Sequence, residues 1–244
     1  GYGGHFAGPV RVSPDIHNHM EVGDEALLLA RAAFTWVARD RAAGAAAAAE
    51  NGAEIIVMDD GHQNPTLAKD ISLVLIDGES GFGNGHVIPA GPLREPVARG
   101  LARADAAVIV GADRAGVAAR LPDALPVFTG TIQPIDEPAP WAGRRVVAFA
   151  GIGRPAKFFA TLADLGCDIA AAHSFADHHD FTNAEIADLL ADADNRDARL
   201  VTTEKDAVRL PLEVRDRVDA LAVRFVWDDP AALRDFLAER LPTA

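Results

Sequence analysis

The sequence predicts an α/β protein of two domains, and three observations carry that prediction. Short β-type runs alternate with Ala/Leu-rich helical stretches, the pattern of a mainly parallel sheet with helices on its faces. Hydrophobic residues make up 49% and charged residues 24% of the 244, ordinary globular usage that fits neither a disordered nor a fibrous class. A Pro-rich stretch, Gln133-Pro134-Ile135-Asp136-Glu137-Pro138-Ala139-Pro140, then breaks the alternation, because each proline removes a donor and restricts its predecessor. The expected organisation is a larger domain over residues 1–132, a linker over 133–144 and a smaller α/β domain over 145–244.

In the first domain, strands are expected at Thr35–Ala38, Glu54–Met58, Ser72–Ile76, Ala106–Val110 and Pro126–Thr131. Helices are expected near Glu25–Phe34, Arg41–Asn51 and Glu95–Ala104, with Ala45–Ala49 acting simply as a strong helix former. In the second domain, strands are expected at Arg145–Ala150, Asp168–His173, Arg199–Thr203 and Ala220–Val226, and helices at Pro155–Leu165, Asn183–Ala193 and Pro230–Arg240.

The net charge of −13, from 36 acidic and 23 basic side chains, would repel a phosphate backbone, so nucleic acid is not an expected partner. The lone Cys167 cannot form an internal disulfide, which suits a reducing, cytoplasmic setting. No apolar run reaches the roughly 18 to 20 residues that span a bilayer, and no secretory leader opens the chain. Gly1 rather than Met comes first, which suggests that residues have been removed or not recorded.

Chemistry concentrates in a few segments. Glu54-Ile55-Ile56-Val57-Met58-Asp59-Asp60-Gly61-His62-Gln63 reads as an apolar strand ending in two acids, and acids at the carboxyl end of a strand can hold Mg²⁺ on a nucleotide. The alternative for Asp59 and Asp60 is a pair that caps the following turn. Asp24, in Val22-Gly23-Asp24-Glu25, reads on spacing as a plain helix N-cap. Phe175-Ala176-Asp177-His178-His179-Asp180-Phe181-Thr182 offers adjacent imidazoles flanked by carboxylates, an acid/base pair or metal ligands on one reading and a solvated loop on the other. Gly151-Ile152-Gly153-Arg154-Pro155-Ala156 fits a dinucleotide fingerprint, but the next expected strand ends without the acid that would take the ribose hydroxyls. Gly81-Phe82-Gly83-Asn84-Gly85 is a loop able to close over a ligand or a bland turn, and Asp15-Ile16-His17-Asn18-His19 is read as surface.

In order along the chain, Val22-Gly23-Asp24-Glu25, Asp59-Asp60-Gly61-His62-Gln63, Gly81-Phe82-Gly83-Asn84-Gly85, Gly151-Ile152-Gly153 and Asp177-His178-His179 resemble segments of the lipid A 4′-kinase (tetraacyldisaccharide 4′-kinase) family. Further parts of the match are Gly1-Tyr2-Gly3-Gly4, Arg39-Asp40-Arg41, Asp77-Gly78, Pro89-Ala90-Gly91-Pro92-Leu93-Arg94-Glu95-Pro96 and Val201-Thr202-Thr203-Glu204-Lys205-Asp206. The resemblance implies a P-loop NTPase-like fold with a second α/β domain, and transfer of the ATP γ-phosphoryl group to the 4′-hydroxyl of a tetraacylated glucosamine disaccharide 1-phosphate. It places such an enzyme peripherally at the cytoplasmic face of the Gram-negative inner membrane, with ATP and Mg²⁺ as cofactors. Asp24 and His178 match the family's catalytic dyad, Asp59 and Asp60 its metal-holding acids, and Gln63, Arg94 and Glu95 are weaker nucleotide-site candidates. The dyad is expected to come together from separate domains across a cleft.

Two departures qualify the match. The 244 residues hold no G-x-x-x-x-G-K-[ST], the loop whose amides and lysine cradle a triphosphate. The family carries that loop and a hydrophobic helix ahead of the Gly1-Tyr2-Gly3-Gly4 segment, so truncation is the expected explanation, leaving a soluble chain without turnover. His62 stands where the family usually has a hydrophobic residue, and Asn64 where it often has His. The competing functions are a dinucleotide-binding module built on Gly151 and Gly153, a metal phosphoesterase built on Asp177-His178-His179, and a non-catalytic remnant.

Overall fold

A computed structural model describes residues 3–135 and 140–241. Gly1 and Tyr2 of the first matched motif, and residues 136–139 of the Pro-rich stretch, lie outside the described residues. Contacts gather the chain into two units, Gly1–Ile56 with Pro134–Ala222 and Val57–Gln133 with Val223–Ala244.

The first unit begins with a ribbon in which β1 (Val10–Arg11) pairs antiparallel with β2 (Trp36–Val37). Between them lie α1 (His19–Val22), started by a reciprocal capping box of Asn18 and Glu21, and α2 (Asp24–Ala32). Gly23 separates the two helices at φ 89°, a conformation that a Cβ would strain. Beyond the ribbon, α3 (Arg41–Glu50) is an alanine helix whose Asp40 cap accepts from the amides of Ala42 and Ala43.

In the second unit, β3 (Leu73–Asp77), α4 (Val97–Leu101), β4 (Ala106–Val110), a single 3₁₀ turn (Ala118–Arg120) and β5 (Val127–Pro134) follow one another. β4 pairs in parallel with both β3 and β5, and the unbroken apolar run Ala106–Ile109 is buried, as an inner parallel strand requires. Ile76, Phe82, Leu101, Ile109, Val117 and Leu121 form the core here.

The chain then returns to the first unit through β6 (Arg145–Ala150), α5 (Pro155–Asp164), β7 (Asp168–Ser174), α6 (Asn183–Asn195), β8 (Arg199–Thr203), α7 (Glu204–Ala207), α8 (Leu212–Arg215) and β9 (Val218–Leu221). The sheet is parallel in the order β7-β6-β8-β9. Period-two alternation along β6 sends Val147 and Phe149 to a core with Ile186 and Leu189 of α6. Val146, Ala148 and Ala150 meet Phe158 and Leu162 of α5 on the other face. Helices thus cover both faces, and the α/β class stands. The chain ends its described course in the second unit with β10 (Val223–Trp227), beside β5, and α9 (Pro230–Ala238), whose Phe236 meets Phe128 edge to face at 5.2 Å.

The grouping is discontinuous, unlike the expected succession of 1–132, a linker over 133–144 and 145–244. Apolar packing explains it: Val22, Leu27 and Val37 share a core with Val208, which draws the first helices onto the carboxyl-terminal sheet. The expected strand Ala220–Val226 is two strands parted at Ala222, the first extending β8's sheet and the second β5's. The expected strand Thr35–Ala38 forms only the short ribbon. Glu54–Met58 is no strand at all, since no described strand pairs with it and Ile55 and Val57 are 65% and 90% exposed. β-propensity realises a strand only where a neighbour supplies the ladder.

Candidate active site

In the order β7-β6-β8-β9, the chain passes from β6 to β7 on one side and then to β8 on the other. Connections diverge at such a point, and ligands gather outside the carboxyl ends of the strands there. The residues following β6, β7 and β8 are Gly151, the Phe175–Thr182 segment and α7, and α2 packs against α7. These loops therefore bring Asp24, His178, Lys205, Asp206 and Arg209 together within the first unit.

His178 Nδ1 lies 3.2 Å from Asp24 Oδ2. The Asp24 side chain is 5% exposed and the His178 ring 32%, so the acid is buried behind a partly open imidazole. Spacing alone suggests an N-cap, but Gly23 is the cap residue and Asp24 is the first residue of α2. Its Oδ1 accepts from the Glu25 amide at 2.9 Å and its Oδ2 from Nε of Arg209 at 2.9 Å, with Arg209 Nη2 also donating to Oδ2. Burial would raise the Asp24 carboxyl, but the hydrogen bonds and charge of Arg209, helped by Lys205 and the Glu25 amide, outweigh it and hold it below the ordinary carboxylate value.

The backbone shares in this arrangement. His178 sits at φ 58°, a left-handed conformation that histidine tolerates better than most residues. Its N–H donates to the Gly151 carbonyl at 3.0 Å, and the Gly151 N–H donates to Asp206 Oδ2 at 3.1 Å. The neighbouring ring is turned elsewhere, with His179 Nε2 3.0 Å from Glu185 Oε1 and the ring stacked on Phe175 at 4.9 Å. Of the two adjacent imidazoles, one faces the Asp24 carboxylate and the other fastens the start of α6.

The remaining candidates of the first unit are structural. Gly151 to Ala156 joins β6 to α5, with Pro155 in the first turn where its missing N–H costs nothing. β7 ends in His173-Ser174, without the strand-end acid that a ribose site uses, and the next acid is Asp177 in the following loop. His17 Nδ1 accepts from the Ser13 amide at 3.0 Å, Asn18 caps α1, and His19 meets Asp180 at 3.3 Å.

The other expected site residues lie in the second unit. Asp59 and Asp60 are exposed, Asp60 at φ 49°, and the Asp60 carboxylate takes both of its oxygens to Arg94 Nη1 at 2.9 and 2.8 Å. Gln63 Nε2 donates to Glu95 Oε1 at 3.1 Å, and the Arg103 guanidinium beside Glu95 holds that carboxyl down at about 2. Among the described residues no group of three or more His, Cys, Asp or Glu could cage a metal. A magnesium ion needs only one or two carboxylates beside phosphate and water oxygens, and the exposed adjacent pair fits that demand. Phe82 of the glycine-rich loop is a core residue, 8% exposed, which makes that loop a packed turn.

Sequence reasoning passed over Arg209 and assigned no role to Lys205. The signal for Arg209 was its setting: an arginine between Val208 and Leu210, which are 3% and 2% exposed, must find an acid indoors.

The family profile described as tetraacyldisaccharide-1-P 4′-kinase matches residues 1–242. The chain belongs to the tetraacyldisaccharide 4′-kinase family. It is 56% identical over 242 residues to the tetraacyldisaccharide 4′-kinase of Rhodospirillum centenum, covering 99% of this chain and 72% of that protein. The enzyme of the same name from Paramagnetospirillum magneticum is 56% identical over 96% of this chain and 72% of its own length. That of Dinoroseobacter shibae is 55% identical over 100% and 74%. No solved structure matches the chain. Membership makes it a kinase, a phosphotransferase, and the α/β architecture is consistent with a P-loop NTPase-like kinase fold. No helix among the described residues is long and apolar enough to cross a membrane.

Proposed function

We propose that the chain serves ATP-dependent phosphorylation of the 4′-hydroxyl of a tetraacylated glucosamine disaccharide 1-phosphate, a step of lipid A biosynthesis at the cytoplasmic face of the inner membrane. The relatives' shared name supports the acceptor, and the 3.2 Å contact of Asp24 and His178 is the observation that carries the chemistry. A sugar hydroxyl is a weak nucleophile, so a positioned base must orient it and take its proton as the bond to phosphorus forms. Asp24 is buried and bonded to Arg209, so the proton is received at Nε2 of His178, the ring nitrogen 3.3 Å from Lys205 Nζ. Asp24 then stabilises the imidazolium as it forms. When bound, a magnesium ion would neutralise charge on the phosphates, held by Asp59 and Asp60, with Gln63, Arg94 and Glu95 as contacts to the nucleotide.

Because the 244 residues hold no G-x-x-x-x-G-K-[ST], turnover is expected only where such a loop is supplied in cis. In that protein, formation of a 4′-phosphate is followed by phosphorus NMR with ATP and the tetraacyldisaccharide. Asp24→Ala and His178→Ala should each lower kcat by about 10² or more, and the double variant should be little worse than either. Full activity in His178→Ala would dismiss the dyad.

A further inference from the structure

Arg209 makes contacts that neither packing nor the reaction above requires. Its side chain is 2% exposed, and a guanidinium taken out of water must satisfy its donors inside the protein. Nε and Nη2 go to Asp24 Oδ2, while Nη1 reaches the Gly151 carbonyl and Asp206 Oδ1, each at 3.2 Å. Nη2 also stands 3.3 Å from Nδ1 of the His178 ring. Asp206, with no exposed side-chain surface, is itself fastened by the Thr203 hydroxyl at 2.8 Å and the Gly151 amide at 3.1 Å. The Gly151 carbonyl accepts from both Arg209 and the His178 backbone, so the fork and the ring hang from one atom.

We propose that Arg209, anchored by Asp206, is a positioning residue that fixes the tautomer of His178 through Asp24. The inference rests on the dyad reading above. A guanidinium keeps its charge at any working pH and has no acceptor. Asp24 beside it stays an ionised acceptor 3.2 Å from Nδ1, and Arg209 Nη2, 3.3 Å from the same nitrogen, is already donating to Oδ2. Nε2 faces the Lys205 ammonium, which can only donate, so Nδ1 is best satisfied as a donor to the carboxylate. Nδ1 therefore carries the proton of the neutral ring, and the lone pair is left on Nε2, the nitrogen turned towards Lys205. Asp24 is faced by Arg209, Lys205, His178 and Glu25, and only Arg209 is both buried and doubly bonded to its carboxylate. Lysine in its place would keep the charge but lose the planar fork.

The 244-residue chain itself serves for the test. Long-range ¹H–¹⁵N spectra of the His178 ring and the ¹³C titration of the Asp24 carboxyl are compared in wild type, Arg209→Met and Arg209→Lys. The expected wild type shows the Nδ1–H tautomer. Arg209→Met should raise the Asp24 titration midpoint, since loss of a charge partner favours the protonated acid. Arg209→Lys retains a cation to balance Asp24 and Asp206, so it keeps the proposal testable if the methionine variant does not fold. It should give a mixed tautomer. In the loop-supplied enzyme, Arg209→Lys should lower kcat about tenfold with little change in KM. An Nε2–H ring in wild type, or a tautomer unchanged in the folded variants, overturns the proposal. Full activity of His178→Ala would instead remove the dyad while leaving the NMR result standing, so the two failures are distinct.

Discussion

The Lys205 ammonium lies 3.3 Å from Nε2 of His178 and 3.1 Å from Oε1 of Glu25, so a cation stands at the outer nitrogen of the ring. Such a charge is well placed to meet phosphoryl oxygens as negative charge builds on them. Lys205→Ala in the loop-supplied enzyme should lower kcat/KM at least tenfold, about 1.4 kcal/mol of barrier. Steady-state kinetics decide the matter, and a change below twofold would leave Lys205 as the holder of Glu25 alone.

Asp59→Asn and Asp60→Asn should each cut kcat by about tenfold or more and raise the magnesium concentration needed for half-maximal rate. Asp60 also neutralises Arg94, so Arg94→Ala is the informative companion. If Asp60 serves only that ion pair, the two variants will behave alike and neither will shift the magnesium dependence.

Gly151 is hemmed in: a Cβ there would lie 3.2 Å from the Ala176 carbonyl oxygen, from Asp206 Oδ1 and from His179 Cβ. Gly151→Ala should cost on the order of 1 kcal/mol or more in urea unfolding, as overpacking does. Gly153→Ala meets nothing nearer than Asp177 Oδ2 at 3.5 Å and should be nearly neutral. Calorimetry should detect no stoichiometric NAD or NADP binding. A saturable isotherm abolished by Gly153→Val would restore the dinucleotide reading.

At the start of α6, the Thr182 amide, the Thr182 hydroxyl and His179 hold the Glu185 carboxyl down from 4.5 to about 2. A depressed acid stabilises the folded chain above its unfolded value, and that contribution fades as pH falls from 4.5 to about 2. Urea midpoints should therefore decline across this window more steeply in wild type than in Glu185→Gln. Parallel curves would show that the cap carries no linkage.

Much of the scaffold was legible because buried parallel strands write themselves as apolar runs: Ala106–Val110, Arg145–Ala150 and Arg199–Thr203 were read with the bounds they have. Glu54–Met58 carries the same composition but pairs with no described strand, and no window of sequence records whether a ladder partner exists. Asp24 shows a second limit. Its spacing is that of a cap, and only packing of α2 on α7 reveals a carboxylate meeting Arg209 and His178. The family resemblance named that pair where periodicity could not. Arg209 was visible as a charge in an apolar run, but of its partners only Asp206 is near in sequence, while Gly151 and Asp24 lie 58 and 185 positions away.

Asp24 and Arg209 are separated by 185 positions. On a ribosome adding about 5–20 residues per second, the arginine is made roughly 10–40 s after the acid it will neutralise. Throughout that interval the Asp24 carboxylate has no buried cation to receive it, and the ledge formed by Val22, Leu27 and Val37 has no Val208 to cover it. The Asp24–Arg209 contact thus closes late, with α8, β9, β10 and α9 still to come, and a pause in synthesis shortly before Arg209 would leave an open, sticky amino-terminal segment for a chaperone to hold.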